Sequence, residues 1–439
     1  MKRTGRQVVA AYAALVIAGA LAPPRASAQA EAPVSPPARL RVEATLDNVL
    51  QFEDLHQKPS DFLMNTTRLT GRASGVLSPR FEYKLGVVGR FHSGTKRIDY
   101  VPFVSPNIRA TLVPADPVTA SSGAGPYLES SIAGDVYLQE AYGTIRGSQL
   151  YVRAGRQKVQ SGTGYSYNPT DLFNRRVPLD PTYEPDGFDA VAVGWTFSRG
   201  AELQVLAARR AGPAWRARLQ GAWQGADFAL QFASIRRGRV DWQAINTPAS
   251  VAALDAGVST VDDFSRDFRW NQLSGEISRV LGGTRVYAEA GFVFIQQPAE
   301  PGTLGPDSHD HERILVGVDR RFDSGVRLVA EYMRLGEGRA AGDPQTLNDQ
   351  IAFNKGETLS TDKNNVFVEV SAPFARAFSG ALKVIGCLDH AALGLNPWLH
   401  FDPLPRFRLS ASIYHYAATD GSPYSNVGLG AFAQLKYAF

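Results

Sequence analysis

Residues 427–439 read VGLGAFAQLKYAF, and this stretch decides the fold class. Apolar and aromatic side chains alternate with glycine or polar ones, and a period of two residues predicts a β-strand. Because Gln434 and Lys436 occupy the second face, this is not a strand that a soluble core buries on both sides. We predict that the apolar face, which includes Leu435, Tyr437 and Phe439, contacts lipid.

The same alternation recurs along the rest of the chain, with no amphipathic helix of normal length. It is clear near 40–46, 81–87, 150–154, 191–197, 203–207, 215–223, 228–232, 286–294, 314–318, 326–332, 378–384 and 407–413. It is weaker near 62–77, 135–146, 268–281, 363–374 and 394–402. We predict an all-β fold, a single transmembrane antiparallel β-barrel of about 18 strands (16–18).

The connections between these segments alternate in length. Tight links fall at 77–80, 146–148, 198–200, 224–226, 281–284, 322–325, 374–376 and 402–405. Longer stretches lie near 94–130, 160–186, 238–266, 298–309 and 336–361, and shorter ones near 53–61, 211–214, 388–391 and 418–426. Barrels of this class have short periplasmic turns and longer outside loops, so we expect both termini to be periplasmic.

Large aromatic residues lie beside the tight links. This position is expected if these residues form an aromatic girdle at one membrane interface. They are Phe81, Trp195, Phe197, Trp223, Phe228, Phe322, Phe378, Phe407, Tyr437 and Phe439.

The first residues resemble a cleavable secretory signal. Lys2, Arg3 and Arg6 precede an apolar run at 8–22 and small residues at 26–30. A membrane-spanning helix is disfavoured because the run has roughly 15 apolar residues and a span needs about 20. We predict a signal peptide at 1–28, cleaved after Ala28 or Ala30, a Pro-rich spacer at 29–38 and the barrel at 39–439. Export by the Sec route to the outer membrane of a Gram-negative bacterium follows.

Charge and cysteine content exclude several classes of function. Without the four basic residues of 1–30, the chain has 42 basic and 42 acidic side chains, so nothing supports nucleic-acid binding. A single cysteine, Cys387, excludes an internal disulfide and a cysteine-based zinc site. A large secreted β-sandwich, β-helix or propeller is the soluble alternative, but no longer repeat is found.

The face opposite the apolar set is polar and charged, with arginine prominent. In a barrel of this size it would line a hydrated channel, and the fixed charge of arginine favours anionic solutes. The alternative is that these arginines pair with wall glutamates and stiffen the barrel. The predicted pore-lining residues are Arg41, Lys84, Arg90, Arg153, Gln157, Arg216, Arg218, Glu289, Arg327, Glu331, Glu369, Lys383, Arg406 and Arg408.

One motif-like stretch lies between residues 150 and 193. LYVRAGRQ carries Gly155, Arg156 and Gln157, a Gly- and Asn-bearing loop follows, and DGFDAV carries Asp189. This layout resembles the alginate-export group of Gram-negative outer-membrane channels and related porin-like barrels. The last strand is similar to the C-terminal signal strand of outer-membrane barrels.

The resemblance implies a large passive channel, arginine-lined in the alginate case, and partners that include outer-membrane lipids, lipopolysaccharide and the barrel-assembly machinery. The run at 165–174 and the Pro-rich segment at 175–185 depart from the alginate group, so its polysaccharide substrate is not implied. We predict passive diffusion of small or oligomeric hydrophilic solutes.

The loop at 160–186 is long enough to enter the lumen as a constriction, and its aromatic and proline content favours order. A cap over the mouth is the alternative. If the loop is a constriction, its charged residues would set the selectivity of the channel. These residues are Asp171, Arg175, Arg176, Asp180, Glu184 and Asp186.

Other chemistry has little support in the sequence. We predict no enzyme, cofactor or metal site. The charged run at 307–312 could hold a divalent ion but is typical of a solvated loop. A hydrolase at the barrel rim using His92 or His415, and a non-conducting assembly or adhesion barrel, stay as alternative functions.

Overall fold

A computed structural model describes residues 40–55, 62–116, 118–174, 184–197, 200–209, 212–296, 310–355, 358–419, 422 and 427–439. The predicted signal peptide at 1–28 and the whole predicted spacer at 29–38 lie outside these residues. Among the described helices, none combines the length and the hydropathy needed to cross a membrane.

The chain forms one closed antiparallel barrel of 18 strands, as predicted. Each strand pairs with the next along the chain, and the last pairs with the first, where Leu46 lies opposite Tyr437. Closure leaves no unpaired sheet edge. A sheet in hydrocarbon must be closed in this way, because its backbone N–H and C=O groups find no hydrogen-bond partner in lipid. Two further short strands, β4 and β5, pair within a loop.

The strands have the following bounds: β1 Arg41–Leu55, β2 Phe62–Ser78, β3 Phe81–Gly94, β4 Arg97–Asp99, β5 Glu129–Ser131, β6 Asp135–Arg146, β7 Leu150–Gln157, β8 Phe188–Thr196, β9 Glu202–Arg209, β10 Pro213–Trp223, β11 Ala226–Val240, β12 Ser265–Leu281, β13 Thr284–Gln296, β14 His311–Arg321, β15 Arg327–Leu335, β16 Asn364–Ala375, β17 Phe378–Cys387, β18 Ala392–Leu404, β19 Phe407–Ala417 and β20 Val427–Ala438. All five weaker segments of the sequence are strands.

Side chains alternate between the outer wall and the interior. Leu429, Leu409 and Val205 are 48%, 38% and 50% exposed, whereas the neighbouring Phe432, Ser410 and Leu206 are buried. Large apolar side chains that stay exposed on nearly all of the barrel strands cannot belong to a soluble core. The outer wall is therefore the lipid-facing surface that the terminal strand predicts.

The two ends of the barrel differ. We call the end with the eight tight links the turn end and the opposite end the loop end. Both the start of β1 and the end of β20 lie at the turn end. Aromatic rings pair there, with centroids 4.7 Å apart for Trp195 and Phe197 and 4.7 Å for Tyr437 and Phe439. This is the arrangement of an aromatic girdle.

The loop end carries short helices that strand periodicity does not reveal: α1 Pro106–Arg109, α2 Trp242–Ile245, α3 Pro248–Asp255 and α4 Leu347–Asn354. Thr247 caps α3, and Thr346 and Asp349 form a capping box at α4. Three loops share one apolar core there, which includes Tyr100, Trp242 and Ile351. These three loops are thus held together by a hydrophobic core of their own.

The interior is less uniformly polar than predicted. Leu315, Val329 and Met333 point inward and are fully buried. They pack with Tyr167, which belongs to the loop between β7 and β8. An apolar inner wall is stable here because part of the chain covers it, whereas the sequence interpretation assumed water on every inward face.

An arginine on the outer wall tests the orientation of the strands. Val205→Arg would place a charge in hydrocarbon at a cost of about 2–4 kcal/mol near the midplane. We expect a much smaller folded fraction in lipid vesicles, measured by the heat-dependent shift of the barrel band on denaturing gels. Val205→Leu is the matched control and should fold normally. Normal folding of Val205→Arg would contradict the assignment.

Candidate functional site: a loop inside the barrel

Residues 158–174 of the loop between β7 and β8 fold into the interior of the barrel. At its start, Gly155 has φ +119°, and a Cβ there would lie 2.2 Å from the carbonyl oxygen of Ala141. Gln157 is buried and donates to the Ala190 carbonyl oxygen over 3.1 Å. The motif residues Gly155 and Gln157 therefore fix the point where the chain leaves the wall.

Buried glutamates on the opposite wall accept the backbone N–H groups of this loop. Glu289 on β13 accepts from Thr163 at 2.5 Å and Gly164 at 2.6 Å. It also accepts from the Thr170 hydroxyl at 2.8 Å. Because irregular backbone inside a barrel lacks a partner strand, these carboxylates replace the missing acceptors.

Glu331 on β15 holds the next residues in the same way. It accepts from the N–H groups of Tyr165, Ser166 and Tyr167, the latter two at 2.8 and 3.2 Å. The Tyr287 hydroxyl donates to it over 2.7 Å. Tyr287 reaches that position because it lies across Gly317, where a Cβ would be 2.4 Å from its ring.

Glutamates on β12 and β16 extend this set. Glu276 accepts from the Gly162 N–H over 2.9 Å, and Glu369 accepts from the Tyr165 hydroxyl over 3.0 Å. We call Glu276, Glu289, Glu331 and Glu369 the glutamate row. The row fixes residues 162–170 across four strands, so this described part of the loop lies inside the barrel and not over its mouth.

The returning limb of the loop is held by a different charge arrangement. Glu184 contacts three cations, Arg68 and Arg72 on β2 and Lys158 at the start of the loop. Burial alone would raise the pKa of Glu184, but Lys158, Arg68 and Arg72 outweigh it and lower the pKa. Glu184 is therefore ionised at neutral pH and neutralises part of this basic wall.

A pocket of about 300 Å³ opens beside the loop. No acidic side chain is among the described residues that line it. We call it the basic pocket, and its polar side chains are Arg153, Gln157, Lys158, Gln160, Ser161, Asn168, Gln204, Arg216, Arg218 and Gln220.

Two arginines of the basic pocket have neutral partners only, within the described part of the chain. Arg153 donates to the Thr144 hydroxyl over 3.1 Å and lies over the rings of Tyr142 and Tyr151. Arg216 is 5% exposed and donates to the Ser161 hydroxyl over 3.0 Å and to the Gln204 amide oxygen over 2.5 Å. Their positive charges are therefore not neutralised by a contacting carboxylate.

Many of the other predicted lining residues form ion pairs within the wall. Arg218 binds Glu276 through both oxygens, at 2.6 and 2.9 Å. The alternative interpretation of self-paired arginines thus describes part of the wall. The remaining pairs are Arg41 with Glu43, Lys84 with Glu140, Arg90 with Asp135, Arg327 with Asp319 and Arg408 with Asp402.

Two predicted lining residues have other surroundings. Lys383 lies over the Trp398 ring, with Nζ 5.2 Å from the centroid. Arg406 is not in the wall, since it is an exposed residue of the turn between β18 and β19 with φ +73°. The prediction failed there because strand periodicity does not locate the last residue of a strand.

The charged residues predicted for the loop also have different surroundings. Asp171 is 2% exposed and accepts from the N–H groups of Phe173 and Asn174 at 2.9 and 3.0 Å, so it organises the loop and does not face solute. Burial raises the pKa of Asp171, and the N–H donors oppose that shift. Asp186 is exposed. Arg175, Arg176 and Asp180 lie outside the described residues.

Sequence reasoning missed Arg68, Arg72, Lys158 and Glu276. Arg68 and Arg72 lie on a strand whose alternation is weak, because Thr and Gly interrupt its apolar face. Their spacing of four residues does place them on one face of a strand and could have revealed them.

The histidines considered for a rim enzyme do not share a site. His92 points inward and contacts the Thr66 hydroxyl over 2.9 Å, whereas His415 is on the outer face. Of the charged run at 307–312, residues 307–309 lie outside the description and His311 is buried beside Glu337. Within the described ranges, no group of three metal-binding side chains is found.

Loss of Glu331 tests whether the glutamate row holds the loop. Glu331→Ala would leave four donors without their acceptor, at about 1–3 kcal/mol for each that stays buried. We expect a larger and noisier single-channel conductance in planar bilayers. Glu82→Ala is the control because it removes an inward carboxylate at the turn end, paired with Arg146. An unchanged conductance in Glu331→Ala would contradict the role of the row.

Comparisons with known proteins identify the fold. No protein-family model matches the sequence, and no curated protein matches it. The chain is similar to the crystal structure of Acinetobacter baumannii OccAB4, with a TM-score of 0.53 and 9% identity over 92% of this chain and 98% of that one.

Two Pseudomonas aeruginosa structures are similar at 11% identity over 91% of this chain. OccK2 (OpdF) is 97% covered with a TM-score of 0.52, and OccK9 (OpdG) is 98% covered with a TM-score of 0.51. The chain therefore has the fold of Gram-negative outer-membrane porin-like barrels.

Proposed function

We propose that the protein is an outer-membrane channel through which small hydrophilic anions diffuse passively. The observation that carries this proposal is the basic pocket, where four cations and five amide side chains meet with no acidic side chain among the described lining residues. Arginine presents a planar set of donors that matches carboxylate and phosphate groups.

The distribution of negative charge supports the same direction of selectivity. The glutamate row is turned toward the loop, and Glu289 and Glu331 are 1% and 4% exposed. Their oxygens are occupied by loop donors and do not face the open side of the lumen. Because Arg153 and Arg216 contact no carboxylate there, an ion in the pocket meets a net positive potential.

The dimensions favour a selective conduit over a wide pore. Residues 162–170 lie against β12–β16, and a pocket of about 300 Å³ opens beside them on the β7–β10 side. This volume is at the lower end of sites for small organic molecules. Passage of oligomeric solutes, as in the alginate-export group, is a weaker candidate for the same reason.

The proposal includes the export route, the orientation in the membrane and the partners of the barrel. We infer that residues 1–28 direct export by the Sec route, that the turn end is periplasmic, and that the last strand is recognised by the barrel-assembly machinery. Lipopolysaccharide would surround the loop end. We assign no enzymatic role, because His92 and His415 lie on opposite faces of the wall.

Ion selectivity in planar bilayers tests the proposal. Under a salt gradient, the reversal potential of the wild-type channel should have the sign of an anion-selective channel. Arg153→Gln combined with Arg216→Gln should lower the chloride-to-potassium permeability ratio by about threefold or more, since two unpaired charges are removed from a narrow site. Arg408→Gln removes an arginine that is paired with Asp402 and is the control.

The result that would contradict the proposal is a cation-selective wild-type channel, or folded protein with no conductance. The second outcome would favour a non-conducting assembly or adhesion barrel.

Removal of Glu184 should have the opposite effect on selectivity. Glu184→Gln would leave Arg68, Arg72 and Lys158 without their shared counter-charge, so the reversal potential should move further to the anion side. Glu43→Gln is the control, because Glu43 is an inward carboxylate paired with Arg41 at the turn end. A shift toward cations would show that Glu184 does not screen this wall.

A further inference from the structure

The outer wall has a cluster of arginines at the loop end of β7–β12. The side chains belong to Arg156, Arg209, Arg236 and Arg269, which occupy outward positions of their strands. We infer that this cluster binds the phosphate groups of lipid A in the outer leaflet. The inference rests on the proposed orientation, in which the loop end faces outward.

Strand register places these residues in one row. Arg156 lies opposite Asp189, and Asp189 lies opposite Arg209. Across the next strands, Arg236 packs beside Gly212 and lies opposite Arg269. Because neighbouring strands are about 4.8 Å apart, the row is a continuous band around this side of the barrel.

The row has an excess of positive charge. Arg156 pairs with Asp189 at 3.1 Å, and Arg236 pairs with Asp267 at 3.1 Å. Arg209 and Arg269 have no carboxylate within ion-pair distance among the described residues. Arg269 makes a long contact to the Ser234 hydroxyl, at 3.4 Å. Two guanidinium groups are therefore available to an external anion at the edge of the membrane.

The apolar wall begins directly on the turn-end side of this row. Val191 and Val205 are outward and about half exposed, and Trp215 stacks near Phe232 with centroids 4.9 Å apart. A ligand that contacts both regions must join phosphate groups to acyl chains. Lipid A has both phosphate groups and acyl chains, whereas free phosphate has no acyl chain to contact the apolar wall.

On the opposite side of the barrel, the described residues form no such row. At the loop end of β1 and β18–β20, most outward residues are apolar and exposed, as at Leu50, Leu393, Ile413 and Leu429, and His415 lies among them. The four-arginine row thus lies on one sector of the outer wall, and the described part of β1 and β18–β20 has no outward arginine at its loop end. A general need for charge at the membrane boundary would not produce this asymmetry.

Native mass spectrometry of the full-length barrel in detergent tests the inference. The probes are lipid A with two phosphates, the same lipid without phosphates, and phosphatidylglycerol. We expect wild type to bind the phosphorylated lipid A about fivefold or more tightly than the other two lipids, since each arginine near a lipid phosphate contributes roughly that factor. Arg209→Gln combined with Arg269→Gln should abolish the preference.

Arg334→Gln is the matched control, because it removes an outward arginine that is paired with Glu312 on another sector. It should keep the preference. Equal binding of lipid A with and without phosphates, or of phosphatidylglycerol and lipid A, would overturn the inference. The wild-type comparison decides this even if the double variant fails to fold.

Bilayer recordings of the same samples separate this inference from the channel proposal. An anion-selective channel without a lipid A preference refutes the arginine row alone.

Discussion

Every backbone N–H group away from bulk water needs an acceptor within the protein, and this constraint explains both the wall and its contents. In the wall, each strand supplies the acceptors of its neighbour, and pairing of β20 with β1 leaves no edge. Inside the barrel, the loop after β7 has no partner strand. Glu276, Glu289 and Glu331 supply its acceptors instead.

This arrangement separates charge across the lumen. The carboxylates that hold the loop are covered by it, while Arg153 and Arg216 on the other side contact neutral groups. Carboxylates and arginines thus have different partners in this part of the interior, since the glutamate row contacts the loop and these two arginines contact neutral groups. A backbone requirement on one wall thus leaves arginines without a contacting carboxylate on the other, and this is the basis of the proposed selectivity for anions.

Much of the fold was predictable, since lipid imposes a period of two that can be counted in sequence. The 18 strands, the eight tight links and the outward face of β20 all follow from it. The partners of inward charges were not predictable, because Glu331 and Ser166 are brought together by long-range closure. The same limit explains Asp171, which the sequence offers as a solute contact and the structure buries. The short helices of the loop end are specified by local caps such as Thr346 and not by periodicity.

Hydrogen–deuterium exchange of the backbone amides at 162–170 tests the central claim most directly. If buried carboxylates accept these N–H groups, peptides from this segment will exchange as slowly as peptides from the adjoining strands. Complete exchange within seconds in folded protein, at the rate of a solvated loop, would show that the glutamate row does not hold the loop and would contradict the account.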